Sequence, residues 1–277
     1  MSRLADRVDT TGLHALNGFS FSAFASPEAV TEACAVATRC QRALDWLAGI
    51  FGERPAFTLI VAGRQDWQHV ARVSLYGMPH AFPGLIVTGA EPSGFWRDYA
   101  DALLADLPSH ARERFTAVYG DPPALGERFA DLIVVHELAH LFHDYDEQTG
   151  LTNFPRLWLA ELFANIALHG YVTENEPDQL PALQTICQLT WDAPAARWPV
   201  RDLNRMGAPF ADGPLNYVWF ELRLLVIAQA IWQANGAQAM RAFRDTLTAR
   251  DLTETQILTT IHAIAPTAAN ALRNWPA

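Results

Sequence analysis

Segments with the pattern of a β-strand are confined to the first third of this chain. Residues 19–24 alternate apolar and small polar side chains, residues 57–62 form an apolar run, and residues 85–88 form a β-branched run closed by Gly89. Alternation with a period of two is typical of a half-buried strand, and short apolar runs are typical of buried ones. The chain is therefore expected to build a small sheet near its amino terminus, with residues 85–88 as the edge strand.

Helical spacing of apolar residues dominates the remaining sequence. The predicted helices cover residues 27–51, 65–73, 95–107, 109–118, 125–144, 155–171, 178–189, 215–235, 237–249 and 254–264. This order predicts an α+β fold that is predominantly helical, with a small amino-terminal mixed sheet and a helical carboxy-terminal subdomain. We expect a boundary near Gly150, which divides a mixed β/α part (1–150) from a helical part (151–277).

Composition limits the classes of partner. The chain has 277 residues, of which 50% are hydrophobic, so it can bury a substantial core. Its net charge is -10, and because it has no basic cluster, no nucleic-acid partner is expected. Cys34 and Cys40 lie six residues apart on one predicted helix and point in different directions, which argues against a disulfide framework. No uncharged apolar stretch approaches about 18 residues, so we expect no membrane association and a cytoplasmic location.

Two histidines four positions apart, His136 and His140, lie inside an otherwise apolar helical pattern. On a helix this spacing places both imidazoles on one face, where they can bind one Zn²⁺ at about 2.0–2.1 Å. Glu137 follows the first histidine directly, so its carboxylate can act as a general base on a metal-bound water without being a ligand. The pattern therefore predicts an enzyme with one Zn²⁺ per chain.

A third metal ligand is predicted on the next helix. Glu161 is the only acidic residue of the apolar segment 155–165. Burial of an unpaired carboxylate is costly, so this position calls for a cation, and a histidine-bound zinc supplies one. Asn165 lies one turn further on the same face, where it is expected to accept a hydrogen bond from the outer ring N–H of His136.

The sequence His136-Glu137-x-x-His140, followed by Glu161-x-x-x-Asn165 on a second helix, resembles the gluzincin zinc metallopeptidases of the thermolysin-like and M1 aminopeptidase-like branches. The resemblance covers roughly residues 57–235, with its specific motifs on the two helices. It implies a zincin-like fold, a peptide or protein substrate, and hydrolysis of the peptide bond with Glu137 as the base.

The resemblance also implies residues around the metal. Tyr217 resembles the tyrosine that stabilises the oxyanion in the aminopeptidase branch. In these enzymes an edge strand binds extended substrate, and the residues that stand in its place here are Leu85, Ile86, Val87 and Thr88.

The chain departs from the family pattern at two points. Asn165 stands where many relatives have Asp, which weakens the negative charge behind the histidine. The Gly-x-Met-Glu-Asn motif of the aminopeptidase branch has no clear match, and Glu91 is the candidate for holding a substrate amino terminus. Exopeptidase activity therefore does not follow from the sequence.

Other assignments of the same residues stay open. His143 could be a third ligand, although a supporting or surface role is favoured because three imidazoles on one continuous helix do not easily reach one metal. Asp146 has the offset after His140 at which metzincin-like enzymes place a ligand, but His143 occupies their glycine position, so the chain is expected to stay helical. His169 is the alternative to Tyr217 as oxyanion donor.

Three classes of function are compatible with these residues. Besides a peptidase, the chain could be a zinc hydrolase of a non-peptide amide or ester, because the motif specifies water activation and not the acyl group. It could also be a non-catalytic module that binds a peptide or protein, with the histidine pair either metal-bound or satisfied by Glu161 and Asn165. Glu137 favours the enzyme, because a binding module has no need of a base.

Overall fold

The structure is a computed structural model that describes residues 8–143, 152–207, 213–248 and 251–276. The strands are β1 (His14–Leu16), β2 (Ser22–Ala25), β3 (Thr58–Ala62), β4 (His80–Phe82) and β5 (Leu85–Gly89). The α-helices are α1 (Val30–Phe51), α2 (Trp67–Val70), α3 (Phe95–Ala105), α4 (Ser109–Tyr119), α5 (Leu125–Phe129), α6 (Ile133–Ala139), α7 (Leu157–Asn175), α8 (Leu180–Asp192), α9 (Pro214–Leu247), α10 (Glu254–Ile264) and α11 (Pro266–Arg273). These elements confirm the predicted α+β, predominantly helical fold with a small amino-terminal mixed sheet.

The described residues form two compact units. The first contains residues up to 93 together with 130–143, and it holds the sheet, α1, α2 and α6. The second contains residues 94–129 and the described residues from 152 onward, and it holds the other helices. The predicted boundary near Gly150 lies outside the described residues.

The sheet of the first unit is mixed. Among the described residues its strand order is β1-β2-β3-β5-β4, in which β2, β3 and β5 are parallel, and β1 and β4 pair antiparallel at the two edges. Most residues of β3 and β5 are buried. Continuous apolar runs of this kind are typical of parallel strands that are covered on both faces.

The prediction that residues 85–88 form the edge strand is wrong. They do form a strand, β5, but it pairs with β3 on one side and with β4 on the other, as in the pair Phe82↔Leu85. Leu85, Ile86, Val87 and Thr88 are all buried, without the alternation that a half-exposed edge strand shows. The edge position on this side belongs to β4, His80–Phe82.

The predicted continuous helix over residues 125–144 is also wrong. The chain forms α5, a 3-10 turn over Ala130–Leu132, α6, and a second 3-10 turn over His140–Phe142. His143 is then extended, with φ -123° and ψ 152°. The first interruption falls where the chain passes from the second unit back to the first.

Helix α7 is apolar on all sides, and every residue from 158 to 172 is buried. Such a helix must be covered all round, and α9 and α8 both pack against it. The backbone of α9 breaks at Asn235 and Gly236, where the sequence predicts the end of one helix and the start of another. No helix in the described part of the chain is long and apolar enough to cross a membrane.

Gly170 lies at a point of close approach between α7 and α9. A Cβ atom built on Gly170 would lie 2.5 Å from Cζ3 of Trp232, whose ring is 6% exposed. We expect Gly170→Ala to lower the free energy of unfolding by about 1–3 kcal/mol, because the indole must shift within a packed core. Urea denaturation measures this change.

Gly49→Ala is the matched control, because Gly49 lies inside α1 and a Cβ built there meets nothing within 4 Å. This variant is expected to gain about 0.5–1 kcal/mol from the helical preference of alanine. If both substitutions raise the stability, the contact between Gly170 and Trp232 does not limit the packing of the two helices.

Candidate metal centre

The two histidines of the predicted motif are brought together on one face. His136 lies in α6, and His140 follows in the helical turn that continues it. The two Nε2 atoms are 3.1 Å apart, and the rings meet edge to face with centroids 4.8 Å apart. Each histidine is 7% exposed. The spacing of four residues therefore brings the two buried Nε2 atoms next to each other.

The separation of these nitrogens can be compared with the geometry of a metal site. Two ligands at about 2.0–2.1 Å from a tetrahedral zinc are about 3.3–3.4 Å apart. The observed 3.1 Å is close to that value, although a hydrogen bond between two nitrogens would have a similar length. A third possible ligand near the two histidines would favour a metal site over a direct hydrogen bond between them.

Glu161 is that third group. It lies in the buried part of α7 and is 7% exposed. One ligand atom from each of His136, His140 and Glu161 lies within 4.8 Å of the other two. A buried carboxylate beside two imidazoles is an arrangement that a cation stabilises.

Glu137 is buried beside the histidines and is also 7% exposed. It follows His136 directly in α6, as the sequence requires for a base that is not itself a ligand. Its catalytic role stays a prediction.

Asn165 is oriented by a residue that sequence reasoning missed. Its Nδ2 donates hydrogen bonds to a carboxylate oxygen of Glu221 at 3.0 Å and to the main-chain oxygen of Glu221 at 3.4 Å. The amide nitrogen of Asn165 therefore donates to α9, and its side-chain oxygen is the atom that would accept the predicted bond from His136. That bond stays a prediction. The sequence does contain a signal for Glu221. Like Glu161, it is an acidic residue inside an apolar helical run, here the run of α9.

The first turns of α9 are held firmly in the second unit. The side chain of Asn216 bonds both the N–H and the carbonyl of Val200, each at 2.9 Å. Arg223 donates to the main-chain oxygen of Trp191 at 2.9 Å, and its guanidinium lies 4.3 Å from the centroid of that indole ring. Tyr217 lies between these two anchors on α9 and is half-buried. Its role as oxyanion donor stays a prediction.

His169, the alternative oxyanion donor, lies one turn beyond Asn165 and is 3% exposed. Its Nε2 is 3.4 Å from the hydroxyl of Thr173 on the same helix. Burial lowers the pKa of His169 from 6.5 to about 4. The imidazole is therefore neutral in the folded protein at pH 7.

This lowered pKa predicts a loss of stability in acid. The unfolded chain protonates His169 near pH 6.5 while the folded protein does not until about pH 4, so the free energy of unfolding falls as the pH is lowered through this window. Between pH 7 and pH 4 we expect the free energy of unfolding to fall less in His169→Leu than in the wild type. The difference is on the order of 3 kcal/mol at most. Urea denaturation between pH 7 and pH 4 measures it, with the exposed His110→Leu as control. Identical pH profiles for His169→Leu and the wild type would contradict the prediction.

His143 is buried, and its Nε2 is 3.2 Å from Nδ1 of His140. It therefore contacts the ring nitrogen of His140 that faces away from His136. Asp146, the metzincin-like alternative, lies outside the described residues. The expectation that the chain stays helical through His143 is wrong, because this residue is extended.

Glu91 is exposed at the end of β5 and has partners within its own unit. One of its carboxylate oxygens is 3.3 Å from the hydroxyl of Tyr76 and 3.9 Å from a guanidinium nitrogen of Arg64. Arg64 in turn stacks over the ring of Tyr76, 4.2 Å from its centroid. The binding of a substrate amino terminus by Glu91 stays a prediction.

No protein-family model matches the chain, and no curated protein matches it. Among solved structures, it is similar to the crystal structure of an M1 zinc metallopeptidase from Deinococcus radiodurans, with 17% sequence identity and a TM-score of 0.43. The match covers 95% of this chain and 50% of that chain, so this chain spans about half the length of the metallopeptidase. At that TM-score the likeness does not bear on the chemistry of the site, which rests on the residues themselves.

Proposed function

We propose that this protein is a zinc-dependent metallopeptidase. The observation that carries the proposal is the buried group of His136, His140 and Glu161, whose ligand atoms lie within 4.8 Å of one another. Two imidazoles and one carboxylate are a donor set of catalytic zinc sites, which keep a further position for water or substrate. Calcium and magnesium prefer oxygen ligands, so the residues fit zinc better.

The roles of the other residues follow from the chemistry of amide hydrolysis. Zinc at this site would supply a bound water with a pKa of about 7 and a Lewis acid for the carbonyl oxygen. Glu137 would take the proton from the attacking water and pass it to the leaving amine. Tyr217 would donate a hydrogen bond to the carbonyl oxygen as negative charge develops on it. Asn165, held by Glu221, would accept a hydrogen bond from the outer N–H of His136.

A peptide substrate is favoured by the position of β4. Among the described residues β4 pairs only with β5, so it is an edge strand of the sheet. It also contacts both α6 and the turn that carries His140. An edge strand beside α6 suits an extended peptide, which would add to the sheet as a further strand. The substrate-side role that the resemblance implied for residues 85–88 is therefore proposed for His80–Phe82.

The proposal is tested by incubating zinc-loaded and chelator-treated protein with a mixed peptide library and analysing the products by mass spectrometry. Cleavage that requires zinc is the expected result. Parallel assays with ester and non-peptide amide substrates distinguish the neighbouring hydrolase class. If zinc binds but none of these substrates is cleaved, the peptidase proposal fails and a non-catalytic binding module is favoured.

Tyr217→Phe is expected to lower kcat by about 10²–10³-fold while the zinc content stays the same, because a single oxyanion donor contributes an effect of this size. Steady-state kinetics and elemental analysis measure the two quantities. Tyr171→Phe is the matched control, because it removes a hydroxyl that bonds Glu176 at 2.9 Å within the second unit. Unchanged kcat in Tyr217→Phe would remove Tyr217 from the proposed mechanism.

A further inference from the structure

A second buried contact of His140 lies on the side of its ring away from His136. The Nε2 of His143 is 3.2 Å from Nδ1 of His140, and the two rings are nearly perpendicular at 88°. His143 is 5% exposed. It reaches this place because the chain leaves the helical conformation at His143 itself, where φ is -123° and ψ is 152°.

The position of His143 excludes it from the metal-binding group. The two nitrogens of an imidazole point to different sides of the ring, and the Nε2 of His140 is the one next to His136. A residue that contacts Nδ1 of His140 cannot reach a metal bound at Nε2 of the same ring. The group of possible ligands accordingly contains His136, His140 and Glu161 without His143.

The direction of the hydrogen bond follows from the requirement of a ligand. A histidine binds a metal through an unprotonated nitrogen, so a ligand Nε2 on His140 places the proton of the neutral ring on Nδ1. That N–H must then donate, and the Nε2 of His143 is an acceptor within reach at 3.2 Å. The opposite direction would leave the proton of His140 on Nε2, where a metal could not bind.

We propose that His143 is a positioning residue that accepts the Nδ1–H of His140 and thereby holds His140 in the tautomer and orientation that bind zinc. The inference rests on the proposed zinc site. The partner of a ligand histidine is usually a carboxylate, a backbone carbonyl or water, and here an imidazole takes that place. Because the contact is buried, the acceptor for the Nδ1–H of His140 is a side chain of the protein itself and not bulk water.

The test compares His143→Leu with His143→Gln, whose side-chain oxygen can accept the same hydrogen bond. Zinc affinity is measured by competition with a chromogenic chelator. We expect His143→Leu to weaken zinc binding by about 10–100-fold, the usual effect of removing such a partner, and His143→Gln to restore most of it. Thermal unfolding of the zinc-free variants reports whether each one folds, and His69→Leu on the exposed side of α2 controls for loss of a surface histidine.

The outcomes separate the inference from the proposed function. If the wild type takes up no zinc, the proposed function fails and the inference fails with it. If the wild type binds zinc and His143→Leu binds it equally well, or His143→Gln is as weak as His143→Leu, only the inference is overturned. Long-range ¹H–¹⁵N spectra of the zinc-loaded wild type give a test without substitution. A His143 protonated on Nε2 could not accept the hydrogen bond and would overturn the inference.

Discussion

Glu137→Gln is expected to lower kcat for peptide hydrolysis by about 10²–10⁴-fold while the protein keeps its zinc, because glutamine has nearly the same shape but cannot take a proton from water. Glu137 is buried and follows the proposed ligand His136 in α6, so the substitution should leave the proposed ligands in place. Steady-state kinetics on a peptide found in the library screen, with elemental analysis of the same samples, measure both quantities.

Glu127→Gln is the matched control, because this residue is exposed on α5 and lies outside the proposed site. It is expected to keep full activity. A Glu137→Gln variant that keeps both zinc and wild-type kcat would show that another group activates the water. A variant that loses zinc would instead assign Glu137 to the metal-binding group.

Glu161→Ala is expected to weaken zinc binding by more than about 100-fold, which exceeds the usual effect of losing a residue that only supports a ligand. The reason is that the substitution removes one of the three proposed ligands and the only carboxylate among them. Two neutral imidazoles then remain to bind a dication in a buried place, without compensation of its charge. Chelator competition measures the affinity, and activity should fall with it.

Glu174→Ala provides the control on the same helix, since Glu174 lies in the last turn of α7 and is exposed. It should bind zinc as the wild type does. If Glu161→Ala and Glu174→Ala bind zinc equally well, the carboxylate of Glu161 is not a ligand. The buried histidine pair would then need another third partner.

The fold class could be predicted because strand and helix patterns occupy separate parts of the sequence. The buried runs of β3 and β5 and the amphipathic α1 were found within a few residues of their observed ends. The edge strands β1 and β4 were missed, because three residues are too few to show alternation. Pro83-Gly84 joins β4 to β5, with φ 76° at Gly84, so this dipeptide is the turn signal that could have revealed β4.

The candidate site was predictable where the chemistry depends on local spacing. His136 and His140 are four residues apart, and a helical backbone is enough to bring their Nε2 atoms to 3.1 Å. Glu161 was found because an acidic residue in an apolar helix needs a partner. The role of Glu221 depends on its contact with Asn165 on another helix. The role of His143 depends on where the helical turn after α6 ends. No local sequence pattern specifies either feature.

The most direct measurement of the proposed zinc site is an anomalous difference map, recorded at the zinc absorption edge from crystals of the zinc-loaded protein. One strong peak is expected at about 2.0–2.2 Å from Nε2 of His136, Nε2 of His140 and a carboxylate oxygen of Glu161. A map with no peak there, while His136 and His140 remain hydrogen-bonded to each other, would contradict the metal centre and the hydrolytic function built on it.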